Sequence, residues 1–197
     1  MLQPTMKHLL LTAGLLAVTL PADATTIGFD DLAARSSVGE QYAGLLFERA
    51  QVLEVGDINE FEFPPRSGRQ VAATTGEYIR ITFLTLVTDF SVHFTYRAPL
   101  YIDIFDRDGH LIGSARSSFD NNTALSGDAG SSPNEQFSTF RRAGIGSVLI
   151  TDHASARSFV LDDLEASQRS LPEPAMLPLL ALGLLGLGAV PGGRGKR

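Results

Sequence analysis

Two aspartate pairs, Asp30-Asp31 and Asp162-Asp163, stand in nearly mirrored settings, Phe29-Asp30-Asp31-Leu32 and Leu161-Asp162-Asp163-Leu164, near the two ends of the strand-like part of the chain. If the segments that carry them are neighbours in one sheet, four carboxylates converge on one edge. Such a charge density calls for a hard cation with oxygen ligands, and one structural calcium is the natural occupant. The alternative is that each pair exposes one aspartate and closes a turn with the other. A further acidic run, Asp106-Arg107-Asp108-Gly109, has Ile104 and Ser117-Ser118 where an EF-hand-type loop needs a polar ligand and a bidentate carboxylate. Asp108-Gly109 instead suits a type I′ hairpin turn between two apolar strands.

Sugar recognition would need aromatic rings against the apolar faces of pyranoses, with polar groups that fix the hydroxyls. Asp120, Asn121 and Asn122, between Phe119 and Thr123, form the densest polar cluster, and Arg97 and Arg116 could complete a rim. The competing reading has these residues closing a long loop by Asx turns, while Tyr42, Tyr78, Tyr96 and Tyr101 fill the edge of a sandwich. Tryptophan is absent, which weakens any stacking platform. Nucleophilic catalysis has no support: cysteine is absent, no G-x-S-x-G elbow occurs, and Gly144-Ile145-Gly146-Ser147 has its serine misplaced. His93 and His153 are isolated histidines with no third ligand marked by the sequence and read as solvated surface residues. No pair of acids is singled out for glycoside hydrolysis, so the chain is not expected to be an enzyme.

These residues must be positioned by strands. Short apolar alternations recur between Thr25 and Arg169, as in Ile79, Ile81, Phe83 and in Phe90, Val92, Phe94, Tyr96. Turn clusters such as Pro64-Pro65-Arg66-Ser67-Gly68 and 126–133 separate them. The pattern predicts strands at 26–29, 46–55, 70–74, 78–86, 89–96, 100–105, 110–114, 136–141, 147–151 and 159–165. About ten strands in residues 25–169 indicate one all-β domain, a single jelly-roll β-sandwich.

Both ends differ from this middle. Lys7 and His8 precede the apolar run Leu9 to Leu20, and Ala22-Asp23-Ala24 supplies a small-residue cleavage site, so residues 1–24 read as a signal-peptide helix removed by signal peptidase. At the other end, Pro172-Glu173-Pro174 leads into an apolar stretch, 175–190, followed by Arg194, Lys196 and Arg197. That stretch would span roughly 24 Å as a helix, a little short of a ~30 Å hydrocarbon core. Gly183, Gly186 and Gly188 suit lipid better than a water-exposed helix. The positive-inside rule keeps the basic end in the cytoplasm and the large domain outside.

This order of tripeptide, short transmembrane helix and basic end resembles the PEP-CTERM sorting signal of Gram-negative bacteria, over residues 170–197. The resemblance implies a precursor held in the inner membrane, a transient encounter with an exosortase that cuts near Pro172, Glu173 and Pro174, and delivery to the cell surface or matrix. The formal net charge of −6 becomes more negative once the basic end is removed, which argues against nucleic acid as a partner.

A second resemblance lies in the middle of the chain. Residues 27–32, 38–47, 101–106, 111–114 and 159–165 are similar to the strand-and-turn pattern of PEP-CTERM β-sandwich domains and galactose-binding-like carbohydrate modules. It implies a structural calcium at the sheet edge and an extracellular polysaccharide as partner. The expected function is therefore an exported binding or structural module. The alternatives are a secreted hydrolase of matrix glycans and a permanently anchored membrane scaffold.

Overall fold

A computed structural model describes residues 26–139, 144–152 and 158–168. The signal-peptide segment, His153 and the whole sorting tail lie outside the described residues. Within them the chain is all-β, and no helix among them is long and apolar enough to cross a membrane.

Chain order gives β1 (Thr26–Ile27), β2 (Ser37–Val38), β3 (Leu45–Glu48), β4 (Ala50–Glu54), β5 (Gln70–Thr74), β6 (Tyr78–Tyr96), β7 (Tyr101–Phe105), β8 (Leu111–Arg116), β9 (Glu135–Thr139), β10 (Ile145–Thr151) and β11 (Phe159–Gln168). Every pairing between them is antiparallel. The organising element is β6. Its first half pairs with β3 and β10, and β10 continues to β7 and β8. Its second half pairs with β9 and β11, and β11 continues to β5, β4 and β2. One strand thus belongs to two layers, bending at Leu84 to Thr88, and the rings of Phe83 and Phe90 on either side of the bend meet edge-on at 5.7 Å.

The inner faces of both layers make one core. Val52, Ala72, Leu161 and Val92 come from one layer, and Ile81, Val148 and Ile104 from the other. Burying a side chain of this size contributes about 1.5–3 kcal/mol, so the alternation along β6 alone fixes which way the strand faces. A smaller cluster of Leu53, Val71, Ala73 and Val160 lies on the opposite face of β4, β5 and β11, covered by Phe63 and Ile58 from the β4–β5 loop.

Sequence and structure part company at three turns. The predicted strand 46–55 is two strands, because Arg49 adopts φ +59° and carries the chain from one layer to the other. The predicted strands 78–86 and 89–96 are one, since the bend keeps its ladder on both sides. At the β7–β8 hairpin only Gly109 has positive φ, +84°, and Gly109 N–H donates to Asp106 O at 3.2 Å. That is a three-residue loop with a left-handed glycine rather than a type I′ pair, and a separate register shift follows between Ile104 and Phe105, opposite Ile112.

Candidate functional site

The first and last strands do pair, Thr26 with Glu165 and Ile27 with Leu164, so the two aspartate pairs arrive at one edge. They do not arrive as four equivalent ligands. Asp162 is buried, and its Oδ2 accepts from the amides of Arg66 (2.7 Å) and Ser67 (3.1 Å) while Oδ1 accepts from Asp163 N–H (2.8 Å). Burial pushes its carboxyl up to about 6 against the pull of those amides. Asp31 turns aside to accept from the Tyr42 hydroxyl at 2.7 Å. Burial raises that phenol, with Asp31 adding to it.

Asp30 and Asp163 remain together. A methyl group on Gly28 would lie 3.4 Å from Asp30 Oδ2, 3.4 Å from Asp163 Oδ1 and 3.3 Å from Ser67 Oγ, so three oxygens surround one point beside this glycine. Asp30 Oδ1 accepts from Arg69 N–H at 2.7 Å, and Asp163 Oδ1 accepts from the Ser67 hydroxyl at 2.6 Å. Gly68 is held at φ +55°, where a Cβ would fall 1.9 Å from Asp30 Oδ2. The loop 66–69 is thus tied by its backbone to carboxylates of both ends of the domain. In donor chemistry the oxygens of Asp30, Asp163 and Ser67 fit a hard cation, which would compete with Arg66 Nε, 3.8 Å from Asp163 Oδ2; Asp162 has both oxygens on amides and Asp31 bonds Tyr42.

His93 corrects an expectation. It sits opposite Asp162 in register and points away from the core, but the outer face there is roofed by the β4–β5 loop and the ring is 9% exposed. Its Nδ1 has no hydrogen-bond partner. Burial lowers its pKa, with nearby Arg66 adding to the effect. Alternation along β6 gave the face correctly and could not show what covers it.

The five residues predicted as a sugar rim do not form one surface. Asn122 is fully buried: Oδ1 accepts from Tyr96 N–H (2.7 Å), Nδ2 donates to Phe94 O (3.0 Å), and its own N–H donates to Tyr96 O (3.0 Å). It takes the place of a strand partner just beyond the last β9 pairing, Phe94 with Glu135. Asn121 Oδ1 accepts from both the amide and the hydroxyl of Thr123 at 2.9 Å, an Asx turn. Arg116 pairs with Asp120 in the open. Tyr96 is buried and donates its hydroxyl to Glu135, whose other oxygen accepts from Ser118 N–H at 2.9 Å. Loop closure, the competing expectation, describes this segment.

Arg97 alone leaves the group. Its guanidinium lies 4.9 Å above the Phe63 ring and pairs with Glu62. There it borders a cavity of about 150 Å³ between the β4–β5 loop and the outer sheet face. Leu53, Ala73 and Val160 make an apolar floor, Ile58 and Phe63 a wall, and Asp57, Asn59 and Arg97 a polar rim. Phe61, on the same loop, is 75% exposed. Glu62 O accepts from Ala124 N–H at 3.0 Å, which ties this loop to the segment that carries the exposed Leu125. The sequence carried two signals for this site: Phe61 and Phe63 in an otherwise polar stretch, and the unbroken apolar runs Val71-Ala72-Ala73 and Val160-Leu161, which mark strands covered on both faces.

Asp106, Asp108 and His110 hold ligand-type atoms within 4.8 Å of one another on the exposed β7–β8 turn. Asp106 Oδ1 accepts from the amides of Asp108 (2.9 Å) and His110 (2.8 Å), and the latter bond holds its carboxyl below the usual value.

Neither protein-family models nor curated proteins give a match to this sequence. Solved structures do. The K2 cleaved adhesin domain of Lys-gingipain is similar at a TM-score of 0.50 and 12% identity, over 73% of this chain and 99% of that one. The CBM22-1 xylan-binding domain from Paenibacillus barcinonensis Xyn10C follows at 0.42 and 12%, over 77% and 97%. A family 6 carbohydrate-binding module gives 0.37 and 14%, over 73% and 93%. At this identity the first likeness speaks to the β-sandwich fold.

Proposed function

We propose that this chain is an exported surface or matrix module that binds a neutral polysaccharide on the loop-covered outer face of the β4–β5–β11 layer. One observation carries the reading: an aromatic ring, Phe61, stands exposed on the loop that roofs a cavity with an apolar floor and a rim of Arg97, Asn59 and Asp57. A pyranose offers that combination its counterpart, an apolar face for the ring and hydroxyls for the rim. A neutral sugar suits it better than an anionic one, because Glu62 already engages Arg97 and the chain carries net charge −6. The strand order, shared between two layers through β6, supports the jelly-roll form of the sandwich.

Binding is favoured over hydrolysis by the state of the acids. A glycosidase acid needs a raised pKa and access to the bond it protonates. Asp162 has the first, but both its oxygens are taken by backbone amides beneath the loop 66–69.

In this reading a calcium ion is held by Asp30 and Asp163, where it would supply charge neutralisation between the first strand, the last strand and the loop 66–69. The signal-peptide and sorting-tail readings join the proposal on the sequence order that suggests them: Pro172, Glu173 and Pro174 ahead of an apolar stretch and a basic end. Export across the inner membrane of a Gram-negative bacterium and release near that tripeptide follow.

A glycan array probed with the wild-type domain and with Phe61→Ala, with and without EGTA, tests the site. Retention of neutral glycans by the wild type alone, without new reducing ends, is the expected result. Equal retention by Phe61→Ala would move the site elsewhere, and released reducing ends would make the protein a hydrolase. Intact mass of the surface-extracted protein tests the tail, with loss of the chain beyond about Pro174 expected.

A further inference from the structure

Six large apolar side chains are strongly exposed among the described residues, and three of them, Leu84 (58%), Leu86 (46%) and Leu111 (57%), gather at one end of the sandwich. The register places them there. Leu84 and Leu86 sit in the bend of β6, and Leu111 opens β8 opposite the end of β7. Arg107 of the same turn donates to Leu84 O at 2.9 Å, which joins hairpin and bend into one surface. The last pairing of β11 is Gln168 with Val87, so the chain leaves the domain at this end too. Arg97, Asn122 and the start of β11 lie at the opposite end, where Arg97 N–H meets Ser158 O and Tyr96 pairs with Phe159.

Where the chain goes next gives the surface an occupant. Only residues 169–174 separate Gln168 from the apolar stretch that begins at Ala175, and seven Cα steps reach at most about 25 Å. If the stretch is in lipid, the leucine end of the domain is held against the headgroup layer at a high effective concentration, where a weak apolar contact suffices. Among the described residues of this end, Asp106 and Asp108 flank Arg107 on the same turn, so the described surface carries no excess positive charge and the proposed contact is apolar.

We propose that the end of the sandwich bearing Leu84, Leu86 and Leu111 rests on the outer leaflet of the inner membrane in the precursor, so that the opposite end, and with it the Arg97 side of the cavity, faces away from the bilayer. This rests on the sorting-tail reading given above. A consequence is a fixed orientation of the domain before release, with its ligand face open while its stalk is still in lipid.

The absence of cysteine allows single labels to be placed without background. Full-length chains carrying Leu86→Cys, Asp120→Cys or Leu182→Cys, each labelled with a polarity-sensitive fluorophore, would be reconstituted in phosphatidylcholine vesicles with part of the lipid brominated. The expected result is strong quenching at Leu182→Cys, roughly twofold quenching at Leu86→Cys that survives high salt, and none at Asp120→Cys. Adding Leu84→Glu should remove the quenching at Leu86→Cys and leave that at Leu182→Cys. Quenching at Leu182→Cys alone overturns the inference and spares the tail reading. No quenching at Leu182→Cys overturns both, and quenching at Asp120→Cys equal to that at Leu86→Cys shows that no particular end faces the lipid.

Discussion

Replacing Asn122 by alanine separates a ligand-binding residue from a structural one. The side chain is fully buried and satisfies two main-chain groups of β6, Tyr96 N–H at 2.7 Å and Phe94 O at 3.0 Å. Neither gains water on truncation, because the segment 117–123 still covers them: Asn122 N–H keeps its own bond to Tyr96 O. Each buried polar group left without its partner costs about 1–3 kcal/mol, so the expected loss of stability for the two is about 2–6 kcal/mol. That is a large part of the 5–15 kcal/mol typical of a domain. Urea denaturation followed by far-UV circular dichroism should show the midpoint falling by roughly 1–2 M at unchanged slope. The folded fraction should keep its glycan affinity, since nothing of Asn122 reaches the surface. A loss under about 0.5 kcal/mol would refute the docking of this loop onto β6, and a stable variant that lost glycan affinity would restore Asn122 as a ligand residue.

Phe61→Ala should leave the melting temperature nearly unchanged, as expected of a 75% exposed side chain, while weakening glycan binding at least about tenfold by isothermal titration calorimetry. Calcium at a hundredfold excess over its dissociation constant should add about 2.7 kcal/mol, read as a melting temperature roughly 5–10 °C higher than in EGTA. Asp163→Asn should abolish that difference without straining the backbone, because asparagine tolerates the φ of +46° found there. Gly68→Ala should cost more than about 2 kcal/mol in denaturant melts, since its Cβ would overlap Asp30. Burial, then Glu135, raises the Tyr96 hydroxyl to about 12, so its contribution to stability is complete below pH ~10 and lost as pH rises through ~12. An ultraviolet titration of tyrosinate in wild type and Tyr96→Phe should assign that late step, and its appearance near pH 10 instead would contradict the buried pair.

The strands were legible because alternation reports burial on one face. β7, β10 and the start of β11 lie within a residue or two of where the pattern put them. What the pattern missed has physical causes. Val87-Thr88 reads as a break between two strands, yet β6 bends there while its partners change, so local composition records the corner and not the continuity. The left-handed Arg49 carries no sequence mark, since that conformation is imposed by the two layers it connects. The first and last strands pair, which was the condition for the aspartates to converge, but that only Asp30 and Asp163 face a common point depends on the loop 66–69, whose Arg66 and Arg69 amides bond Asp162 and Asp30 across 96 and 39 residues. Of the predicted rim only Arg97 reaches a cavity, because Asn and Asp in a long loop bond to nearby amides as readily as to a ligand.

The most direct test of the central claim is amide hydrogen exchange of the domain with and without a neutral polysaccharide that it retains on the array. The account predicts added protection across residues 55–66 and at Arg97, with the 117–134 segment unchanged. Protection centred on 117–134, or none within 55–66, would contradict it.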